Sequence, residues 1–397
     1  MFFPSGFPQN GYNGYNGYNG YNGYNGYNGY NGYGVPDGGV PVQALLTNRD
    51  GIVGAELEFP AQVVSNVQND PENLKRLSPG VRAQIFDFAL KSEIEMTFDE
   101  GKAFLWRRGP LTGKKPRTAY HPLVSMRAPD QKQLKKQLRF LYGYANIRQD
   151  RAPEIVSQVQ APMPFFATIG FLDPARTPYT LEFLGAALRF TVFAEMQLKY
   201  ALAVKRPIEF SPQIQPMIQT PTHGSLPSGH ATESFLTARL LLQILRNSNA
   251  PQYKTDDDGD GHWGEMLMSL AARIATNRTV AGVHFPVDSV AGAILGLTLA
   301  NLVTSISTGR HAWTAATFDG TAFNAEDDFD WHKLYNAKSD KQSKTLKNGK
   351  KTWATSDAKD PLGAAQPVLA WLWHKAVSEW DDMDALEKAD VSGNTEV

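Results

Sequence analysis

Between Lys199 and Asp288 the chain carries three short pieces whose residue types could do chemistry together. The first is Lys199 with Arg206-Pro207, the second Pro227-Ser228-Gly229-His230, and the third Arg278 with His284 and Asp288. They bring three cations, a small hydroxyl beside a glycine, two histidines and a carboxylate. That is an inventory for holding a tetrahedral or trigonal-bipyramidal oxyanion. Lys199 and Arg206 stand two helical turns apart, so a continuing helix would put both on one face. Pro227-Ser228-Gly229-His230 stands where a loop enters a helix, and free N–H groups there favour an anion. Gly229 allows close backbone approach, Ser228 can donate its hydroxyl, and His230 falls in the first turn, placed for proton transfer. His284 and Asp288 are one helical turn apart, so the carboxylate can hold one imidazole nitrogen and leave the other free as nucleophile or ligand. Singly, each residue reads as a core histidine or a surface ion pair. In this order, together, they do not.

The elements that must position these pieces are read from period and punctuation. Helices are predicted from Pro79 to about Ile94 with Ser78 as N-cap, over Pro129–Ala145, and from Thr180 to Val204 with Thr180 as N-cap. Others follow over His230–Arg246, Trp263–Thr276 and Pro286–Ser305, with a last one over Pro367–Trp380 whose tryptophans read as core. Ile208–Leu226, rich in proline, is a long loop, and long loops in compact domains are often functional. Gly101–Tyr120 reads as a basic loop, Val40–Pro60 as irregular with a short strand, and Asp381–Val397 as a frayed acidic tail. Little alternates with period two over useful lengths, so the expected fold class is all-α. The expected division is a tail over 1–39, a helical scaffold over 40–165, a catalytic helical core over 166–310 and a C-terminal extension over 311–397.

Two stretches stand apart from this plan. Asn10–Tyr33 is an unbroken Asn-Gly-Tyr repeat; with Gly at every third place and no aliphatic residue it is expected to be disordered, or to self-associate through its tyrosines. Asp256, Asp258 and Asp260 open a calcium-loop pattern, but its twelfth position is Leu267 instead of Glu, so an acidic surface loop is weighed against a calcium site.

Composition narrows the class. With 397 residues and 42% hydrophobic content the chain can bury a large core. A net charge of −1 provides no global field for nucleic acid or an anionic membrane, so any attraction for anions is local. The absence of cysteine excludes disulfides, thiolate nucleophiles and cysteine-ligated metals. The uncharged run Ser289–Gly309 is long enough to span a bilayer, but its Gly, Ala, Ser and Thr content and a mean hydropathy of −0.36 for the chain favour a buried core helix. The N-terminus shows no basic region followed by an apolar run. The expectation is a soluble protein without a transmembrane span, cytoplasmic or exported without such a signal.

Lys-x6-Arg-Pro, Pro-Ser-Gly-His and Arg-x5-His-x3-Asp together resemble the signature of the type 2 phosphatidic acid phosphatase/vanadium haloperoxidase superfamily, over about Thr180–Ser305. The family pattern has serine where this chain has Asn277. The resemblance implies a helical bundle with one oxyanion pocket and two chemistries. In one, His284 attacks phosphorus, His230 protonates the leaving alcohol, and Lys199, Arg206 and Arg278 neutralise the phosphoryl oxygens. In the other, vanadate sits in the same cage of Lys199, Arg206, Ser228, Gly229, Arg278 and His284, and hydrogen peroxide oxidises a halide. Asp288 orients His284 in both. His223 has the position of a histidine beside the halide site in vanadium bromoperoxidases, and Gly282-Val283-His284 is similar to the haloperoxidase form of the third motif. On these grounds the leading expectation is a soluble, bacterial-type haloperoxidase using bromide or iodide in preference to chloride. The alternatives are a phosphatase acting on a phosphomonoester or lipid phosphate, and a non-catalytic oxyanion-binding assembly protein, in each case with homo-oligomerisation open.

Overall fold

A helix uncharged beyond its first turn and without a polar face has to be covered on every side. In the computed structural model that helix is α8 (Pro286–Thr308), and 94% of its apolar window lies inside the protein. Among the described residues it is the helix long and apolar enough to cross a membrane. The structure describes residues 66–109, 119–159, 162–254, 262–310, 312–344, 352–359 and 365–393, with side chains to 381. The Asn-Gly-Tyr repeat, the Val40–Pro60 segment and the Asp256/Asp258/Asp260 loop lie outside them.

The elements around α8 come from both halves of the chain. Before it run α1 (Pro79–Lys91), β1 (Ile94–Asp99), β2 (Lys102–Arg108), β3 (Tyr120–Arg127), α2 (Gln131–Gly143), α3 (Arg148–Ser157), α4 (Met163–Gly170), α5 (Pro178–Leu202), α6 (Gly229–Asn247) and α7 (His262–Val280). After it come β4 (Ala312–Asp319), the short pair β5 (Tyr335–Asn336) and β6 (Lys341–Gln342), β7 (Trp353–Lys359) and α9 (Pro367–Gly393). Helix α6 is the main partner of α8, with α9 and strand β4 also against it. Trp371, Trp373 and Trp380 of α9 are buried, as expected of core residues.

The all-α expectation is corrected. Strands β1-β2-β3-β4-β7 form one sheet in that order, antiparallel except where β3 runs parallel to β4. The protein is mostly helical, with this sheet added. Period two is present in β2, where Ala103, Leu105 and Arg107 point inward. It is disguised because the outward set includes Phe104 and Trp106, and the inward set includes an arginine. Arg107 lies over the Trp313 ring at 4.6 Å, which lets a cation sit inside. Lys102–Arg108 is therefore a strand, not part of a basic loop. Its hairpin with β1 turns at Glu100 and Gly101, both with positive φ (45° and 74°).

Helix ends show where local signals were overridden. Ser78 is the N-cap residue of α1, with Pro79 in the first turn, but its side chain makes no cap bond. Helix α5 begins at Pro178, two residues before the expected Thr180 cap. Its free amides are served from α9 instead: Glu379 accepts from Tyr179 N at 2.7 Å and Thr180 N at 2.8 Å. Helix α9 itself continues to Gly393, beyond the expected end at Trp380.

Helices α6 and α8 approach unusually closely. A Cβ on Gly292 would lie 2.6 Å from Ser228 O, and one on Gly296 would lie 2.2 Å from Thr232 O. Neither backbone oxygen can move away without parting the helices. Gly296→Ala is expected to cost about 3 kcal/mol despite alanine's better helix propensity. Gly80→Ala in α1, where an added Cβ meets nothing within 4 Å, is the control and should be neutral or slightly stabilising. Urea denaturation of both variants checks this; a neutral Gly296→Ala would contradict the close approach.

Candidate active site

The close approach of α6 and α8 brings the second and third sequence pieces together. Ser228 N donates to Asp288 O at 2.9 Å, joining the start of α6 to the first turn of α8. Pro286 opens α8, where a missing N–H costs nothing. The first piece arrives differently from expectation. Helix α5 stops at Leu202, with Ala203 in the left-handed region (φ 47°), so Lys199 and Arg206 do not share a helix face. Arg206 lies beyond that turn and reaches back. Both cations meet the Gly224 carbonyl, Lys199 Nζ at 3.4 Å and Arg206 Nη2 at 3.2 Å. Lys199 Nζ also donates to Pro227 O, beside the Ser228 cap.

His284 is the centre of the arrangement. Its Nδ1 lies 3.1 Å from Asp288 Oδ2, and its Nε2 lies 3.0 Å from Arg206 Nη1. Arginine can only donate, so Nε2 is the acceptor and the ring proton belongs on Nδ1, facing the carboxylate. Asp288 Oδ2 is fixed in turn by Ser225 Oγ at 2.5 Å and by the Phe285 amide at 2.9 Å. His223 Nδ1 stands between Arg206 Nη2 at 3.1 Å, a donor, and the Gly224 carbonyl at 3.2 Å, an acceptor. Arg278 is anchored through Nη2 alone, to Ile155 O at 3.2 Å and Gln158 Oε1 at 3.1 Å. His230 Nε2 meets the Gln158 carbonyl at 3.0 Å.

What remains unpaired is telling. Arg278 Nε and Nη1, Ser228 Oγ and His223 Nε2 are buried without a hydrogen-bond partner. Arg278 Nε and Nη1 can only donate, and Ser228 Oγ can donate. Buried unmet donors are costly, and a set of them beside three cations fits an oxyanion. Lys199, Arg206 and Arg278 are exposed by 1%, 3% and 1% respectively. Burial pushes the Lys199 ammonium down to about 8, and Arg206 and Arg278 each to about 10. Burial and the Arg278 charge bring His230 down to about 3, while burial with Arg206 and Lys199 holds His284 well below its usual range. Both imidazoles are thus neutral near pH 7, and Nε2 of His284 keeps its lone pair.

Sequence reasoning missed several residues here. Glu195, on α5 one turn before Lys199, is buried against the start of α6, and a Cβ on Gly229 would lie 2.8 Å from its Oε1. Any side chain at Gly229 would make the end of the Glu195 side chain shift. Burial pushes Glu195 up to about 7 and Glu233 of α6 well above the carboxylate range. The spacing of Glu195 and Lys199 was a usable signal; Gln158 and Ser225 carried none. Asn277, in the family's serine position, turns to Gln158 Oε1 at 2.9 Å and accepts from Arg151 at 3.1 Å. Among the described residues no cluster of three or more histidine, aspartate or glutamate side chains could hold a metal ion.

Comparison with known proteins agrees at the level of the domain. Residues 181–312, from α5 to the start of β4, match the family model described as PAP2 superfamily. No curated protein matches the chain. Among solved structures it is similar to a transmembrane PAP2 type phosphatidylglycerolphosphate phosphatase from Bacillus subtilis, at 18% identity. That match has a TM-score of 0.37 and covers 45% of this chain and 88% of the other.

The electrostatics make a testable statement. Lys199 loses its charge as pH rises through about 8, and a bound anion would hold the proton longer. Affinity for inorganic phosphate is therefore expected to fall as pH rises above about 8, up to tenfold per pH unit. Lys199→Arg, which stays charged, should flatten that limb. Calorimetric titration over pH 7–10 checks it (about that span suffices); an unchanged limb in Lys199→Arg would contradict the assignment.

Proposed function

We propose that the chain is a phosphohydrolase that acts on a phosphate monoester through a phosphohistidine at His284. The observation that carries this is a neutral histidine, held at Nδ1 by Asp288, whose other nitrogen meets the buried Arg206 with the Lys199 charge close by. The match to the PAP2 superfamily model supports the same reading. Nε2 of His284 attacks phosphorus, and the bond from phosphorus to the ester oxygen breaks. His230 supplies the proton to the departing alkoxide; a dianionic group beside it would draw that proton in, against the depression that burial imposes. Water then attacks the phosphohistidine, with His230 taking its proton back. Lys199, Arg206, Arg278, Ser228 Oγ and the Gly229 amide hold the phosphoryl oxygens as charge spreads over them. Asp288 keeps His284 in the reacting tautomer. With α8 enclosed by α6, α9 and β4, we read the site as working outside a bilayer.

A second reading, a vanadate-dependent haloperoxidase, is favoured by one observation. His223 Nε2 is buried without a partner, on a ring held next to Arg206, and in the tautomer protonated there it is a free donor. It suits a halide ion, bromide or iodide in preference to chloride. The unpaired donors of Arg278 and Ser228, with Nε2 of His284, also fit vanadate. When bound there, vanadate would supply the activation of hydrogen peroxide for halide oxidation.

The test is protein purified without metal and assayed with and without orthovanadate. The expected result is hydrolysis of p-nitrophenyl phosphate that orthovanadate inhibits. Peroxide-dependent bromination of a phenol dye that requires vanadate, without hydrolysis, would replace the first reading with the second. Neither activity, with phosphate still bound, would leave a binding protein. His284→Ala is expected to lower either activity on the order of a thousandfold or more. His223→Ala should leave hydrolysis within about threefold of wild type, since it takes no part in phosphoryl transfer; a large loss would mean that it does.

A further inference from the structure

Gln158 caps the end of α3, outside the range of the family match, and is completely buried. It touches both halves of the candidate chemistry. Its carbonyl accepts from His230 Nε2 at 3.0 Å. Its side-chain oxygen accepts from Arg278 Nη2 at 3.1 Å and from Asn277 Nδ2 at 2.9 Å. Its amide nitrogen donates to Glu154 Oε1 at 2.8 Å, and Glu154 is gripped by Arg273 Nε and Nη2, each at 2.7 Å.

These contacts fix directions. A carboxylate can only accept and a guanidinium can only donate, so the amide of Gln158 has one workable orientation between Glu154 and Arg278. That orientation occupies Nη2 of Arg278. The Nε and Nη1 hydrogens, which lie to either side of Nη2 in the planar fork, are left unpaired. A neutral His230 bonded to a carbonyl through Nε2 must carry its proton there, leaving a bare Nδ1.

We propose that Gln158 is a positioning residue: its side-chain oxygen holds Arg278 by Nη2 and leaves the Nε and Nη1 donors for the oxyanion, and its carbonyl makes Nδ1 the proton-transferring atom of His230. This rests on reading the pocket as an oxyanion site. The proposal also accounts for Asn277, whose amide shares the same oxygen of Gln158 and thereby completes the support of Arg278. The arrangement draws the segment before the family match into the site. Glu154 and Arg273 lie one layer farther out and hold the amide's other end.

The experiment is a double-mutant cycle on inorganic phosphate affinity, measured by calorimetry with the full chain. Gln158→Met removes the acceptor at similar volume. It should weaken phosphate about tenfold or more, the worth of a charge-assisted hydrogen bond. In an Arg278→Lys background the same change should have little further effect, because the group it positions is gone. Wild-type affinity in Gln158→Met, or an undiminished loss in the Arg278→Lys background, would overturn the proposal; a purely structural role predicts the latter. If Gln158→Met does not fold, Gln158→Asn, which withdraws the amide by one methylene, should show a smaller loss of the same sign, and no loss would overturn it. Nitrogen-15 spectra of labelled protein, assigned with His230→Gln, should show His230 protonated at Nε2 and bare at Nδ1 near neutral pH. The opposite tautomer would overturn the second half. Phosphate binding needs no turnover, so an absence of hydrolysis with the cycle intact would discard the hydrolytic reading alone.

Discussion

Three positive charges are buried in one place, and most of the local structure answers to that fact. Two unit charges about 4 Å apart interact by about 4 kcal/mol at an effective dielectric near 20. Lys199, Arg206 and Arg278 could not share a core without strong compensation. Part is provided by carbonyls: those of Val283 and Ile155 for the arginines, and that of Gly224 for both Lys199 and Arg206. Part comes from the buried carboxyls of Glu195 and Asp288. Some donors are left unmet, and these mark where a charged oxygen belongs. Burial, with the same field, keeps the histidines neutral, which is what a nucleophilic nitrogen needs.

Holding such a cluster demands a scaffold that does not yield. The glycine faces of α8 let its backbone lie against α6, so the Ser228 and Asp288 peptides can bond directly. The left-handed turn at Ala203 ends α5 and sends Arg206 back toward Lys199. Around this, the sheet and α9 close the apolar surface of the central helices, and Glu379 caps α5 from α9. Segments far apart in the chain are therefore tied to the geometry of a few side chains.

Much of the pocket was legible because its residues are of unusual type and stand at helix ends, where position follows from local signals. Ser228-Gly229-His230 at a helix start and Asp288 one turn after His284 are of this kind. The shared face of Lys199 and Arg206 was misread, since nothing local announces that Ala203 takes a left-handed conformation. The sheet was misread because Phe104 and Trp106 face outward while Arg107 is stacked inside, which erases the alternation that marks a strand. Gln158 and Ser225 were invisible for a different reason. Their importance lies in partners over fifty residues away, which only the folded chain brings near.

The central claim is that these residues form one oxyanion cage centred on His284. A crystal structure of the protein soaked with orthovanadate tests it most directly. The expected result is density joined to Nε2 of His284, with oxygens facing Arg278 Nε and Nη1, Ser228 Oγ and Lys199. A vanadate bound elsewhere, or a pocket that stays unaltered at saturating orthovanadate, would contradict it.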